Sequence, residues 1–83
     1  MWAIMYMTLK SFRYISGQES LYIEDGRDRL HFSGVDPICG GAAVRWLNNR
    51  QGKPIMVNFI CYGPECVLVL EDDQQDRLTI LGL

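Results

Sequence analysis

Apolar residues dominate the first nine positions. Trp2, Ile4 and Tyr6 alternate with Ala3, Met5, Met7 and Leu9, so neither face of a strand over this stretch is polar. The pattern continues through Phe12, Tyr14 and Ile15, which predicts a strand from Trp2 to about Leu9 that bends and runs on to Ile15. Ser16-Gly17-Gln18-Glu19-Ser20 then supplies turn chemistry: glycine for positive φ, serine hydroxyls for local backbone bonds. Two short alternating runs follow, Leu21-Tyr22-Ile23-Glu24 and Arg29-Leu30-His31-Phe32-Ser33, separated by Asp25-Gly26-Arg27-Asp28. Asp-Gly between such runs predicts a hairpin in which Leu30 and Phe32 share a face and His31 points away from it.

Asp36-Pro37 has the chemistry of a helix start, a carboxylate N-cap followed by proline at the first helical position. Gly52 and Pro54 read as the stop. Between them Ala43, Trp46, Leu47 and Arg50 recur at i, i+3, i+4, i+7, with Arg45, Asn48 and Asn49 opposite. Gly40-Gly41 opposes a helix by about 1 kcal/mol each relative to alanine, so the helix is expected to begin properly only near Gly41. The rival for residues 41–51 is a strand from Val44 to Leu47 that turns at Asn48-Asn49.

From Ile55 the strand pattern returns: Ile55 to Tyr62, a turn at Gly63-Pro64-Glu65, then Cys66 to Leu70 and Arg77 to Leu81. Val67-Leu68-Val69-Leu70 is apolar at four consecutive positions, as a strand covered on both faces should be. One helix covers one side of a sheet. The other side then needs a second sheet, closure into a barrel, or another chain. The expected fold class is α+β: a mostly antiparallel sheet of about six strands with one helix after the first hairpin, and an all-β small barrel as the alternative. Covering by a second copy makes Trp2, Ile4 and Tyr6 the expected dimer interface.

The 83 residues make one domain, 1–83, and 48% apolar against 22% charged is a folding composition. Eight basic and ten acidic side chains leave a net charge of −2, without the basic footprint that drives non-specific nucleic-acid binding. The apolar N-terminus is too short to span a bilayer, which takes about 20 residues, and it lacks the features of a signal peptide, so no membrane partner is expected. Three cysteines, Cys39, Cys61 and Cys66, argue by their odd count against a closed disulfide framework. Cys61 and Cys66 flank a turn, where they are expected as reduced thiols in a cytoplasmic protein. With His31 the only histidine, no metal site assembles, and no cofactor motif is present.

Three function classes remain. Cys39, beside the helix start and next to Gly40-Gly41, is a reactive-thiol candidate, because a helix N-terminus lowers a thiol pKa and glycine N–H groups can hold an oxyanion. Phe12, Arg13, Tyr14 and Tyr22 interleave aromatic and basic groups, the pattern of a single-stranded nucleic-acid platform. The favoured class is a small protein–protein interaction or regulatory module, an inhibitor, adaptor or accessory subunit without catalysis. Its expected contact residues are Glu71, Asp72, Asp73 and Asp76 in the acidic loop, with Arg45 and Asn49 on the helix.

Overall fold

The N-terminal run does bend, and the bend divides it between two sheets. In the computed structural model, which describes residues 2–83 except for the Trp2 side chain, β1 (Trp2–Thr8) pairs with β5 (Pro54–Tyr62). β2 (Ser11–Ile15) pairs instead with β3 (Ser20–Glu24). Successive residues of a strand turn their backbone groups to opposite sides, and the change of partner uses that alternation. The Leu9 N–H donates to the Lys53 carbonyl at 2.9 Å, while the Lys10 N–H donates to the Glu24 carbonyl at 2.9 Å.

Sheet one has the order β1-β5-β6-β7, completed by β6 (Glu65–Asp72) and β7 (Arg77–Ile80). Sheet two has the order β2-β3-β4, with β4 spanning Arg29–Phe32. Every pairing is antiparallel, so the α+β expectation holds, with seven strands where about six were expected. Neither sheet closes on itself, so the small-barrel alternative is not realised. The β3–β4 hairpin turns as its Asp-Gly predicts: Gly26 takes φ +91°, and Asp25 Oδ1 accepts from the backbone N–H groups of Arg27 and Asp28.

Residues 37–48 form the helix α1 (Pro37–Asn48), which removes the strand rival. It begins at Pro37, ahead of the expected start near Gly41. Asp36 Oδ1 accepts from the Cys39 N–H at 2.8 Å, and this cap holds the first turn across the two glycines. Gly40 is where the helix meets β2. A Cβ there would lie 2.4 Å from Tyr14 Cζ, and the Tyr14 hydroxyl is anchored by donating to the Val35 carbonyl. The glycine is thus a packing requirement that overrides helix propensity.

Register fixes which side of sheet one is the core. Met5, Val57, Leu70 and Leu78 form one inner row, and Phe59, Leu68 and Ile80 form the next. Sheet two lies over this face, with Phe32 and Phe59 at 5.4 Å between ring centroids, and α1 packs against β2 and β7. Leu9, Leu21, Ile23, Leu47, Leu68 and Leu70 are fully buried between these layers. A second sheet and a helix together therefore cover the inner face.

Two glycine substitutions separate packing from propensity. Gly40→Ala is expected to destabilise the fold by about 1–3 kcal/mol through overpacking against Tyr14. Gly41→Ala, whose Cβ would meet only Arg45 Nη1 at 3.5 Å, is expected to stabilise by up to about 1 kcal/mol. Urea unfolding of both variants checks the pair, and equal effects would remove the Gly40–Tyr14 contact as the cause.

Candidate functional site

The opposite face of sheet one has no cover among the described residues. Ile4, Asn58, Val69 and Thr79 form one row across all four strands, and Tyr6 stands beside Met56 in the next. Ile60 and Val67 pair beyond them. Ile4 is 42% and Tyr6 77% exposed, and Tyr62 and Leu81 extend the apolar surface at its margin. Four strands about 4.8 Å apart and roughly seven residues long give this face about 400 Å² in projection. Its charged pair, Glu71 and Arg77, sits toward one end and is mutually satisfied at 2.8 Å. Of the expected dimer residues, Ile4 and Tyr6 thus lie on this open face, and the Trp2 side chain lies outside the described residues. Met56, Ile60, Val67 and Val69 belong with them. Their signal was the apolar character of both faces of these strands, but only register shows which face is left bare.

The acidic loop is organised from within. Arg50, just beyond α1, donates from Nε to Asp72 Oδ2 at 2.8 Å and from Nη2 to Asp76. Its Nη1 donates to the Trp46 carbonyl, and its guanidinium lies 4.0 Å over the Trp46 ring. Asp72 also accepts from the N–H groups of Gln74 and Asp76 at 2.9 Å each. Glu71 is taken by Arg77, so Asp73 alone of the four acids makes no ion pair among the described residues. Arg45 on the helix and Asn49 at its C-cap stay exposed, near the end that Arg50 ties to this loop. Arg50 was legible only as a member of the helix stripe, and its role as the hub of the loop depends on β6 and β7.

The aromatic–basic set divides. Phe12 packs against the core, and Tyr14 is fixed beneath Gly40 with its hydroxyl on Val35. Arg13 and Tyr22 do share the outer face of sheet two, joined by His31, whose ring stacks on Tyr22 at 4.4 Å, and by Arg29 at 4.7 Å from the Tyr22 ring. Glu24 offsets this group by pairing with Arg29. The ring faces a nucleic-acid platform would present are therefore partly used within the protein.

The thiol chemistry differs from its sequence expectation. Burial, reinforced by the Asp36 carboxylate that caps the same helix turn, pushes the Cys39 thiol above its ordinary pKa. The cap that forms the helix thus opposes the thiolate a helix N-terminus would otherwise favour. His31 bonds Ser20 Oγ at 3.0 Å and stacks on Tyr22, so it is engaged on sheet two. Cys61 and Cys66 are joined as a disulfide, correcting the expectation of two reduced thiols. An odd count forbids only that all three cysteines pair, and the β5–β6 register sets these two directly opposite. The cytoplasmic expectation rested on reduced thiols and loses that support, because such bonds persist in oxidising surroundings. Among the described residues no cluster of His, Cys, Asp and Glu is placed to hold a metal ion, and no helix is long and apolar enough to cross a membrane.

Two measurements test these assignments. Alkylation of Cys39 by iodoacetamide at pH 7 should be slower than that of a free thiol, and a faster rate would reinstate an activated cysteine. Burial alone would raise the Asp72 pKa, yet the Arg50 guanidinium and the N–H groups of Asp76 and Gln74 outweigh it and hold the carboxyl below its ordinary value. A lowered native pKa contributes stability above the unfolded-state value of about 3.9 that is lost as pH falls through the native one. Thermal unfolding should therefore show stability falling below about pH 4, with a shallower fall in Asp72→Asn. No protein-family model matches the chain, and neither the curated proteins nor the solved structures include a significant match to it.

Proposed function

We propose that the chain is a non-catalytic protein–protein interaction module whose contact surface is the outer face of sheet one. The observation that carries this reading is the set of Ile4, Val69, Met56, Tyr6, Ile60 and Val67 on a face that no element covers among the described residues. Fully burying an exposed side chain of this size contributes about 1.5–3 kcal/mol, and Ile4 and Tyr6 are exposed while Met56, Ile60, Val67 and Val69 are half-buried, so covering the face would add stability. The largest apolar patch on a small domain is often its functional surface. The uncharged centre of the face suits a partner that is itself apolar, with Glu71–Arg77 as a polar rim. The raised Cys39 pKa and the engagement of His31 elsewhere favour binding over catalysis.

Affinity capture from cells of the native source, with wild-type chain beside Val69→Lys and Asp73→Asn, tests the assignment. Lysine in the centre of the face should abolish retention of any specific partner, at an expected loss of at least tenfold in affinity, about 1.4 kcal/mol. Asp73→Asn should leave retention unchanged. Equal capture by Val69→Lys and wild type, with both folded by circular dichroism, would sink the outer face as the contact surface.

A further inference from the structure

Among the described residues four strands lie at sheet edges, and they are not alike. β4 is four residues long and carries Arg29 and His31; β7 is four residues long and begins at Arg77; β2 is five residues long with Arg13 at its centre. Short length and charge are the devices that keep an edge from pairing with another strand. β1 has neither. It runs seven residues without a charge or a proline, and among the described residues it pairs only with β5.

The direction of its backbone groups follows from the switch point. Leu9 turns toward β5 and Lys10 toward β3, and the β1–β5 register is unbroken from Trp2 to Thr8. Ala3, Met5 and Met7 therefore bond toward β5, and Trp2, Ile4, Tyr6 and Thr8 present their N–H and C=O groups to the open edge. Two cavities border β1: one of about 680 Å³ reaches from Tyr6–Thr8 to Asp25 and Arg27 and across β5 to Glu71–Asp73, and one of about 500 Å³ lies between Ala3–Met5 and Leu30–Ser33. Among the described residues no strand is hydrogen-bonded to these outward groups.

We infer that a second copy of this chain fills the edge, β1 pairing antiparallel with the partner's β1 to join the two four-stranded sheets into one of eight. The inference rests on reading the chain as an interaction module and adds the first of its partners. A two-fold axis through Met5 is the arrangement that pairs the whole of β1, setting Ile4 beside the partner's Tyr6 on the outer face and Met5 beside the partner's Met5 on the inner one. About eight backbone hydrogen bonds form, two for each residue that turns outward. Self-pairing meets no like-charge contact, since nothing from Trp2 to Leu9 is charged. It also removes two unprotected edges in one event, whereas a foreign strand would cover one. The bare outer faces of the two copies then form a continuous apolar surface.

Light scattering across a dilution series, paired with amide hydrogen exchange at high and low concentration, decides it. The expected mass is twice the 9.5 kDa of the chain. The Ile4 and Tyr6 amides should exchange at least about tenfold more slowly at the higher concentration, while Met5 and Met7 stay protected at both. Tyr6→Pro deletes an outward N–H and spares the bonds to β5, so it should give a folded monomer. A monomer at every concentration overturns the inference, as does a dimer whose Ile4 and Tyr6 amides exchange as fast as in the dilute chain. Protection of these amides only on adding another protein would overturn it too. None of these results touches the Val69→Lys capture experiment, whose failure removes the outer face while leaving β1 pairing to stand on its exchange pattern.

Discussion

The change of partner at Leu9 and Lys10 is the constraint on which the rest of the fold depends. Leu9 is fully buried, its N–H on the Lys53 carbonyl and its carbonyl accepting from Gly52. Lys10 turns the other way, its N–H on Glu24 and its carbonyl held by Gln51 Nε2 at 2.8 Å. Two adjacent residues thus tie both sheets and the turn after the helix to one point. Because β2 departs from the line of β1 there, sheet two can fold back over the inner face of sheet one. The same departure leaves β1 without a neighbour on its second side. The layered core and the open edge have one cause.

That geometry also explains why one face of sheet one is covered and the other is not. A small domain has one helix and one three-stranded sheet to spend, and both lie on the inner side, where Phe32 meets Phe59 and α1 meets β2 and β7. The outer side keeps Ile4, Tyr6, Met56 and Val69. At the far end of the sheet, Arg50 draws Asp72 and Asp76 onto the helix terminus and turns an acid-rich loop into a clasp between α1 and sheet one. The acids that looked most available in the chain are, apart from Asp73, already engaged.

The helix and the cysteines show where local signals end. Asp36-Pro37 marked the start of α1 correctly, but propensity at Gly40-Gly41 argued for a later one, since the Tyr14 ring that requires a glycine there is distant in sequence. For Cys39, the dipole argument was sound in sign. It was outweighed by burial and by Asp36, whose carboxylate does the capping. The Cys61–Cys66 bond needed the register of two strands to become visible.

By itself the sequence determined the Asp25-Gly26 hairpin, the capped helix start and the β5–β6 hairpin, and it favoured a bent N-terminal strand and the α+β class over a small barrel. It also determined that apolar strand surface exceeds what one helix can cover. All of these rest on period, turn chemistry and capping, which act over a few neighbouring residues. Only the tertiary structure decided that the strands divide into two sheets, that Tyr14 faces the helix while Tyr22 faces solvent, and that Ile4 and Tyr6 join Val69 on a bare face. A two-faced apolar strand has no internal preference for which side is buried. That choice is made by the elements that arrive from elsewhere in the chain, through register and packing.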